Sequence, residues 1–89
     1  MKSNIRLISL QETLIRRRKS RAAHYRDQKA GLFTLPVQVG RRSIAWPSFE
    51  VDQLISAQIA GLGEDKIRDL VTKLMTERRV LKLEISSDR

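Results

Sequence analysis

The 89-residue chain suits a single domain, and its 40% apolar and 31% charged residues are typical of a soluble globular protein. It has no cysteine and one histidine, His24, which excludes disulfides, thiolate zinc sites and cysteine nucleophiles. The formal net charge is +8, and residues 1–46 carry all of the excess, with eleven basic and two acidic side chains. Such asymmetry indicates a polyanionic partner, whereas charge that served only solubility would be interspersed.

Two short helices are predicted in the basic half of the chain. Ser9 or a neighbouring residue is expected to cap the first helix, with Glu12 three residues after Ser9 as in a capping box, and the basic run at residues 16–19 interrupts or ends this helix. Ser20 caps the second helix, which is closed by Gly31 in the left-handed conformation. Two helices joined by a tight polar turn are typical of a helix-turn-helix.

The hydrophobic pattern changes after the second helix. Residues 35–39 and 43–46 are predicted to be the strands of a hairpin, and Gly40 is expected to supply a positive φ in its turn. Pro47 suits the first turn of a third helix. The sequence therefore predicts a small hairpin between the second and third helices.

Apolar stripes at helical spacing predict a third and a fourth helix, separated by a glycine-rich hinge at residues 61–63. The stripe residues are Val51, Leu54, Ile55 and Ile59 in the third helix and Ile67, Leu70, Val71, Leu74 and Met75 in the fourth. Glu64 and Asp65 lie at the positive end of the fourth helix, and Arg78 and Arg79 at its negative end. Residues 81–85 then alternate strictly, as in a half-buried strand.

The predicted fold class is mainly α with a small β-hairpin wing. Residues 1–60 form a winged helix-turn-helix DNA-binding domain, and residues 61–89 form an extra C-terminal helix and a strand-like tail. This arrangement places the basic half of the chain in the domain that would meet a polyanion.

A DNA-contact surface is predicted on the second helix, because a helix-turn-helix places that helix in the major groove. Arg21 suits a bidentate contact to guanine. The basic run at residues 16–19 is either a solvated face or lies along a phosphate backbone, and the hairpin tip suits phosphate or a minor groove. The predicted DNA-binding residues are Arg16, Arg17, Arg18, Lys19, Ser20, Arg21, Ala22, His24, Tyr25, Arg26, Arg41 and Arg42.

Some of these residues have a second interpretation. Small residues such as Ala22 are more often packing residues than contacts to thymine methyls, and Tyr25 suits the core as well as it suits phosphates. His24 is expected at the surface or facing DNA rather than as a metal ligand or a general base. Trp46 is expected in the core, and four aromatic residues in the whole chain are too few for a single-strand binder.

The order of these residues resembles the AlpA-type phage regulators over residues 6–60 without gaps. The matching residues are Arg6-Leu7-Ile8, Glu12, Ser20-Arg21, Tyr25-Arg26, Gly31, Phe33, Pro36-Val37, Gly40-Arg41, Trp46 and Glu50-Val51. That family resembles MerR-type winged helix-turn-helix domains. The AlpA-type family usually has a glycine and then an apolar residue just before the serine that matches Ser20, where this chain has Arg18 and Lys19. Arg16 stands at a position that is commonly apolar in that family. The end of the first helix is therefore expected to carry phosphate contacts.

The resemblance implies a recognition helix that starts at Ser20, DNA contacts from residues 21–26 and a wing at residues 40–42. Members of the family act as transcriptional regulators and as excisionases, or recombination directionality factors, of mobile elements. The protein is expected to act as an excisionase, and it is similar in size and charge to excisionases of the RdfS type. Such a protein bends double-stranded DNA cooperatively and promotes excision by a partner integrase. The alternatives are an AlpA-type transcriptional regulator and an RNA-associated basic protein.

No convergent acid, base, nucleophile or metal set indicates an enzyme, a metal site or a cofactor. No apolar run is long enough to cross a bilayer and no signal peptide is recognised, so a cytoplasmic protein without membrane contact is expected. Self-association on DNA is expected through the fourth helix and the tail, although the helix face is as well explained by completion of the core. The candidate oligomerisation residues are Leu74, Leu81, Leu83 and Ile85.

Overall fold

The computed structural model describes residues 5–86, which form three strands and four helices. In chain order these are β1 (Leu7–Ile8), α1 (Leu10–Arg17), α2 (Arg21–Lys29), β2 (Val37–Gln38), β3 (Ile44–Pro47), α3 (Ser48–Ile59) and α4 (Glu64–Ser86). The central strand β3 pairs antiparallel with β1 on one side and β2 on the other. The described part of the chain is therefore mainly helical with a small antiparallel sheet, as the coarse fold class predicted.

Ser9 and Ser20 are confirmed as N-caps of the first two helices, whereas the carboxylate of Glu12 accepts from Arg16 and does not complete a capping box. The Ser9 hydroxyl accepts a hydrogen bond of 3.1 Å from the backbone N–H of Glu12, and the Ser20 hydroxyl accepts one of 3.1 Å from that of Ala23. Because the first N–H groups of a helix lack intrahelical acceptors, each hydroxyl fixes where its helix begins. Gly31 follows α2 with a φ of +81°, which confirms the predicted left-handed glycine.

The hairpin turn between β2 and β3 is held by a side chain. The amide of Gln38 donates hydrogen bonds to the backbone carbonyls of Gly40 at 2.6 Å and Arg41 at 3.3 Å. The prediction of a positive φ at Gly40 is wrong, since the positive-φ glycines of the described chain are Gly31 and Gly61. The amide of Gln38 closes the turn without that backbone conformation.

α4 is 23 residues long and continues through the segment predicted to be a strand. The strand prediction for residues 81–85 is wrong. Alternating Leu81, Leu83 and Ile85 are separated by lysine and glutamate, which are good helix formers, and no glycine or proline interrupts the chain after Gly63. Arg78 and Arg79 consequently lie inside α4 and not at its C-terminal end.

The hydrophobic core joins the sheet to α3 and α4, and its buried residues are Ile8, Phe33, Trp46, Val51, Leu54, Val71 and Leu74. Trp46 is fully buried, as predicted, and its indole N–H donates to the carbonyl of Thr34 at 2.9 Å. Ile59, predicted in the apolar stripe of α3, is the last residue of that helix and is instead 81% exposed. Since α4 supplies Val71 and Leu74, it packs into the same core as the N-terminal elements.

Candidate nucleic-acid interface

α2 presents a basic face to solvent. At 3.6 residues per turn, positions 21, 22, 25, 26 and 29 fall on one side of the helix. All five are exposed, and together they form the α2 outer face: Arg21, Ala22, Tyr25, Arg26 and Lys29. Within residues 5–86, the side chains of Arg21, Arg26 and Lys29 have no hydrogen-bond or ion-pair partner. Lys29 was not among the predicted contacts, although its position eight residues after Arg21 would have indicated it.

His24 lies on the opposite, buried face of α2. Its expected position at the surface or facing DNA is wrong, since the residue is 0% exposed. The centroid of its ring lies 5.2 Å from that of Phe33 and 5.1 Å from that of Trp46, with edge-to-face geometry in both pairs. The imidazole therefore packs α2 against the core, and it is removed from any contact with DNA.

Arg17 is also buried, which corrects its prediction as a phosphate contact. Its side chain is 6% exposed, and Nη2 donates to Oδ2 of Asp27 at 2.7 Å. Nη1 lies 2.8 Å from Nδ1 of His24, and the guanidinium carbon lies 4.1 Å from the centre of the Phe33 ring. A cation enclosed by a carboxylate and an aromatic face joins α1 to α2, and its charge is compensated internally.

Asp27 is the acid of this buried cluster. Its Oδ2 accepts a second hydrogen bond, of 2.6 Å, from Nζ of Lys19. Burial acts to raise the pKa of Asp27, but the hydrogen bonds and charges of Lys19 and Arg17 outweigh it, so the pKa lies below its ordinary value. The carboxylate is therefore ionised and pairs with two cations of the basic run, so that the three side chains together keep a net charge of +1.

Arg17 also sets the protonation state of His24. A guanidinium can only donate, so Nδ1 accepts and the imidazole proton lies on Nε2. Burial, together with the charge of Arg17, lowers the pKa of His24 from 6.5 to about 4, and the nearby Asp27 offsets only part of that effect. His24 is consequently neutral at physiological pH.

Most of the basic run at residues 16–19 is thus paired with acidic residues of the protein itself. Besides the two cations bound to Asp27, Arg16 pairs with Glu12 at 2.7 Å and with Asp52 at 3.4 Å. Arg18 is the member of the run that has no side-chain partner in the described part of the chain, and it is exposed. Of the four cations predicted to contact phosphate, Arg18 is the one that the structure leaves free to do so.

Arg18 ends α1 with a left-handed backbone, at φ 56° and ψ 46°. This conformation brings Cβ close to the following carbonyl and costs a side-chain-bearing residue roughly 1–2 kcal/mol. Glycine adopts it without that cost.

We expect Arg18→Gly to raise the free energy of unfolding by about 0.5–1 kcal/mol, because the relief of backbone strain exceeds the entropy that glycine adds to the unfolded chain. Urea denaturation followed by Trp46 fluorescence measures this change. Arg18→Ala is the matched control, since it removes the same charge and keeps Cβ. An equal gain in both variants would assign the effect to charge repulsion instead of backbone strain.

The hairpin contributes two further free cations. Arg41 and Arg42 are exposed at its tip, and neither side chain has a partner among residues 5–86. Tyr25 and Lys29 of α2 line one surface groove together with Leu35, two residues before β2. The α2 outer face and the segment that enters the hairpin therefore adjoin each other.

Of the four predicted oligomerisation residues, one is buried in the core and three are exposed. Leu74 is 1% exposed and belongs to the core, so it offers no surface to another copy. Leu81, Leu83 and Ile85 are exposed on the C-terminal half of α4. Leu81 also lines an apolar groove whose other exposed residues include Ile5, Leu7 and Phe49.

Comparisons of the chain with models of protein families, with curated proteins and with solved structures find no match. Across residues 5–86, no helix combines the length and apolar character that crossing a membrane requires. The same residues contain no group of three or more acidic or histidine side chains arranged to hold a metal ion. The function of this surface is accordingly inferred from its geometry and charge.

Proposed function

We propose that this protein binds double-stranded DNA, with α2 as the recognition helix of a winged helix-turn-helix and the β2–β3 hairpin as the wing. The observation that carries the proposal is the division of charge between the two sides of α2. On the inner side of α2, Asp27 pairs with Arg17 of α1 and with Lys19 of the turn, whereas three cations of the α2 outer face are free. Unpaired cations on one exposed helix face suit a partner that carries its negative charge along a groove.

The local geometry of α2 favours this role. α1 and α2 are joined by residues 18–20 alone, and Ser20 fixes the start of α2. In a helix-turn-helix the first residues of the second helix contact base edges. Arg21 has the planar fork that matches O6 and N7 of guanine, and Ala22 is small enough for a thymine methyl. Arg26 and Lys29, one and two turns further on, would contact phosphates.

The resemblance to AlpA-type regulators supports the MerR-like form of this fold and a role in excision. A recombination directionality factor performs no chemistry. It binds beside a recombination site and favours excision by a partner integrase. The left-handed backbone at Arg18, where that family has glycine, agrees with the same turn. The wing would grip phosphate or a minor groove through Arg41 and Arg42.

Excision would require several copies on adjacent sites. Bending a 20–30 bp site costs on the order of 1–6 kcal/mol, which one small subunit would supply with difficulty. Contacts between subunits would stabilise the bent duplex. The exposed apolar residues near the end of α4 that would make these contacts are Leu81, Leu83 and Ile85.

Arg21→Ala is expected to cost roughly 1–3 kcal/mol of binding free energy on a selected duplex and to relax specificity. Arg41→Ala should instead weaken all duplexes alike and reduce the salt slope by about one. Fluorescence anisotropy on a duplex selected from a random pool and on its scrambled form, at several salt concentrations, measures both effects. Arg79→Ala, an exposed charge on α4, is the control. Equal losses for Arg21→Ala and Arg79→Ala on both duplexes would refute the proposed role of α2.

Two further assays separate the possible roles of such a protein. Integrase-dependent excision, measured with and without the protein, tests the excisionase role, and a promoter reporter tests transcriptional regulation. Competition between duplex DNA and RNA at equal salt tests the nature of the polyanion. If RNA competed more strongly than duplex DNA, RNA would become the proposed partner in place of DNA.

A further inference from the structure

The segment between the α2 outer face and the hairpin is held at its first residue by α4. This α2–β2 connection comprises residues 30–36. Nε of Arg68 in α4 donates to the carbonyl of Ala30, the C-cap of α2, at 2.9 Å. The side chain of Arg68 passes over Gly31, where an added Cβ would lie 3.8 Å from its Cγ and Cδ. Because the last carbonyls of a helix lack intrahelical donors, Arg68 satisfies one of them.

The second attachment lies at the other end of the connection. Nη2 of Arg78 donates to the carbonyl of Leu35 at 2.8 Å. The same guanidinium binds both carboxylate oxygens of Glu50, at 2.8 and 2.6 Å. Glu50 is 1% exposed, and a bidentate pair with an enclosed carboxylate fixes the orientation of the guanidinium.

The two arginines are ten residues apart on one helix, which corresponds to about 15 Å along its axis. Between the two attachments, Phe33 and Thr34 are buried, and Trp46 donates to the Thr34 carbonyl. The path of the α2–β2 connection is therefore fixed at both ends by α4 and in the middle by the core.

We infer that α4 sets the spacing between the α2 outer face and the hairpin tip, with Arg68 and Arg78 as positioning residues that contact no DNA themselves. The consequence for binding rests on the proposed function, in which the recognition helix and the wing meet the duplex together. If only a fraction of the molecules has the arrangement that can bind DNA, the apparent Kd equals the intrinsic Kd divided by that fraction.

The spacing is measured without DNA. The chain has no cysteine, so spin labels at Lys29→Cys and Arg42→Cys report the distance from the end of α2 to the hairpin tip by pulsed electron paramagnetic resonance. Arg68→Met should broaden or shift the distance distribution. Lys66→Met, which removes a charge from an exposed residue without a partner in the described chain, should leave it as in the parent protein.

Arg68→Lys should restore the parent distribution, because a lysine ammonium can also donate to the Ala30 carbonyl. Arg68 is chosen over Arg78 because losing Arg78 also leaves Glu50 buried without its counter-charge. Circular dichroism confirms that each variant is folded. An unchanged, narrow distribution in folded Arg68→Met would overturn the inference.

The DNA readout uses the unlabelled variants. If the competent fraction falls to about one fifth, Arg68→Met should raise the apparent Kd about fivefold beyond the effect of Lys66→Met. Equal affinities for these two variants would reject the positioning role. Should the parent protein bind no duplex, the proposed function fails, and the distance measurement still decides whether Arg68 sets the spacing.

Discussion

Arg78→Met is expected to lower the free energy of unfolding by about 3–5 kcal/mol, the cost of removing one partner from a buried ion pair. Glu50, in the first turn of α3, is 1% exposed and both of its oxygens are bound by Arg78. Methionine keeps an apolar stem of similar length but leaves that carboxylate without a counter-charge. Since small domains have only about 5–15 kcal/mol of total stability, the variant should unfold at far lower denaturant concentration.

Chemical denaturation followed by Trp46 fluorescence measures this loss. Arg79→Met, at the next and exposed position, should change stability by less than about 0.5 kcal/mol. The double variant Glu50→Met with Arg78→Met replaces the pair by apolar side chains and should recover most of the loss. Equal stability of Arg78→Met and Arg79→Met would mean that the buried pair does not contribute to folding.

Lowering the pH from 7 to 4.5 is expected to reduce the free energy of unfolding by about 2–3 kcal/mol through His24. Its pKa is about 4 in the folded protein and 6.5 when unperturbed, so between these values the unfolded chain binds a proton that the folded chain does not. The stability is therefore complete above pH 6.5 and is lost as the pH falls toward 4, at about 1.4 kcal/mol per unit. The pKa of Asp27 is lowered from 3.8, so this residue reduces the free energy of unfolding only as the pH falls below 3.8.

Denaturation curves recorded across this pH range provide the measurement, and His24→Gln provides the control. His24 is the only histidine of the chain, so the glutamine variant should lose the slope between pH 4.5 and 6.5 even though its stability is lower throughout. A slope that persists in His24→Gln would show that protonation of the imidazole is not what destabilises the folded state.

The features that the sequence predicted well depend on short-range interactions. Ser9 and Ser20 cap helices whose first N–H groups lie three residues away, and Gly31 relieves a local backbone constraint. The burial of Trp46 was predicted from its place before Pro47 at a helix start and from the scarcity of other aromatic residues. Four of the five residues of the α2 outer face were among the predicted DNA contacts, which stay a prediction, but that set was chosen by position in the first turns of the helix and so also included the buried His24.

The predictions that failed have different causes, and for Arg17 and His24 the cause is tertiary packing. Arg17 and its free neighbour Arg18 are the same amino acid in the same basic run, so the sequence does not distinguish them. Arg17 is buried only because Asp27 and Phe33 pack against it in the folded chain. The single imidazole of His24 carries no periodic signal, so its inward position depends on how α2 packs. Residues 81–85 have an apolar alternation that suits a strand, but continuous hydrogen bonding from the preceding turns of α4 keeps them helical.

Asp27 binds Arg17 and Lys19 through one oxygen, so the amino acid that is tolerated at position 27 depends on the residues at positions 17 and 19. A neutral residue in place of Asp27 would leave two positive charges adjacent beside His24, one of them enclosed by the Phe33 ring. A chain that shares this architecture would tolerate such an exchange only with a simultaneous change of Arg17 to an uncharged residue. The two positions should therefore co-vary among relatives, whereas Arg18 is free to vary independently of both.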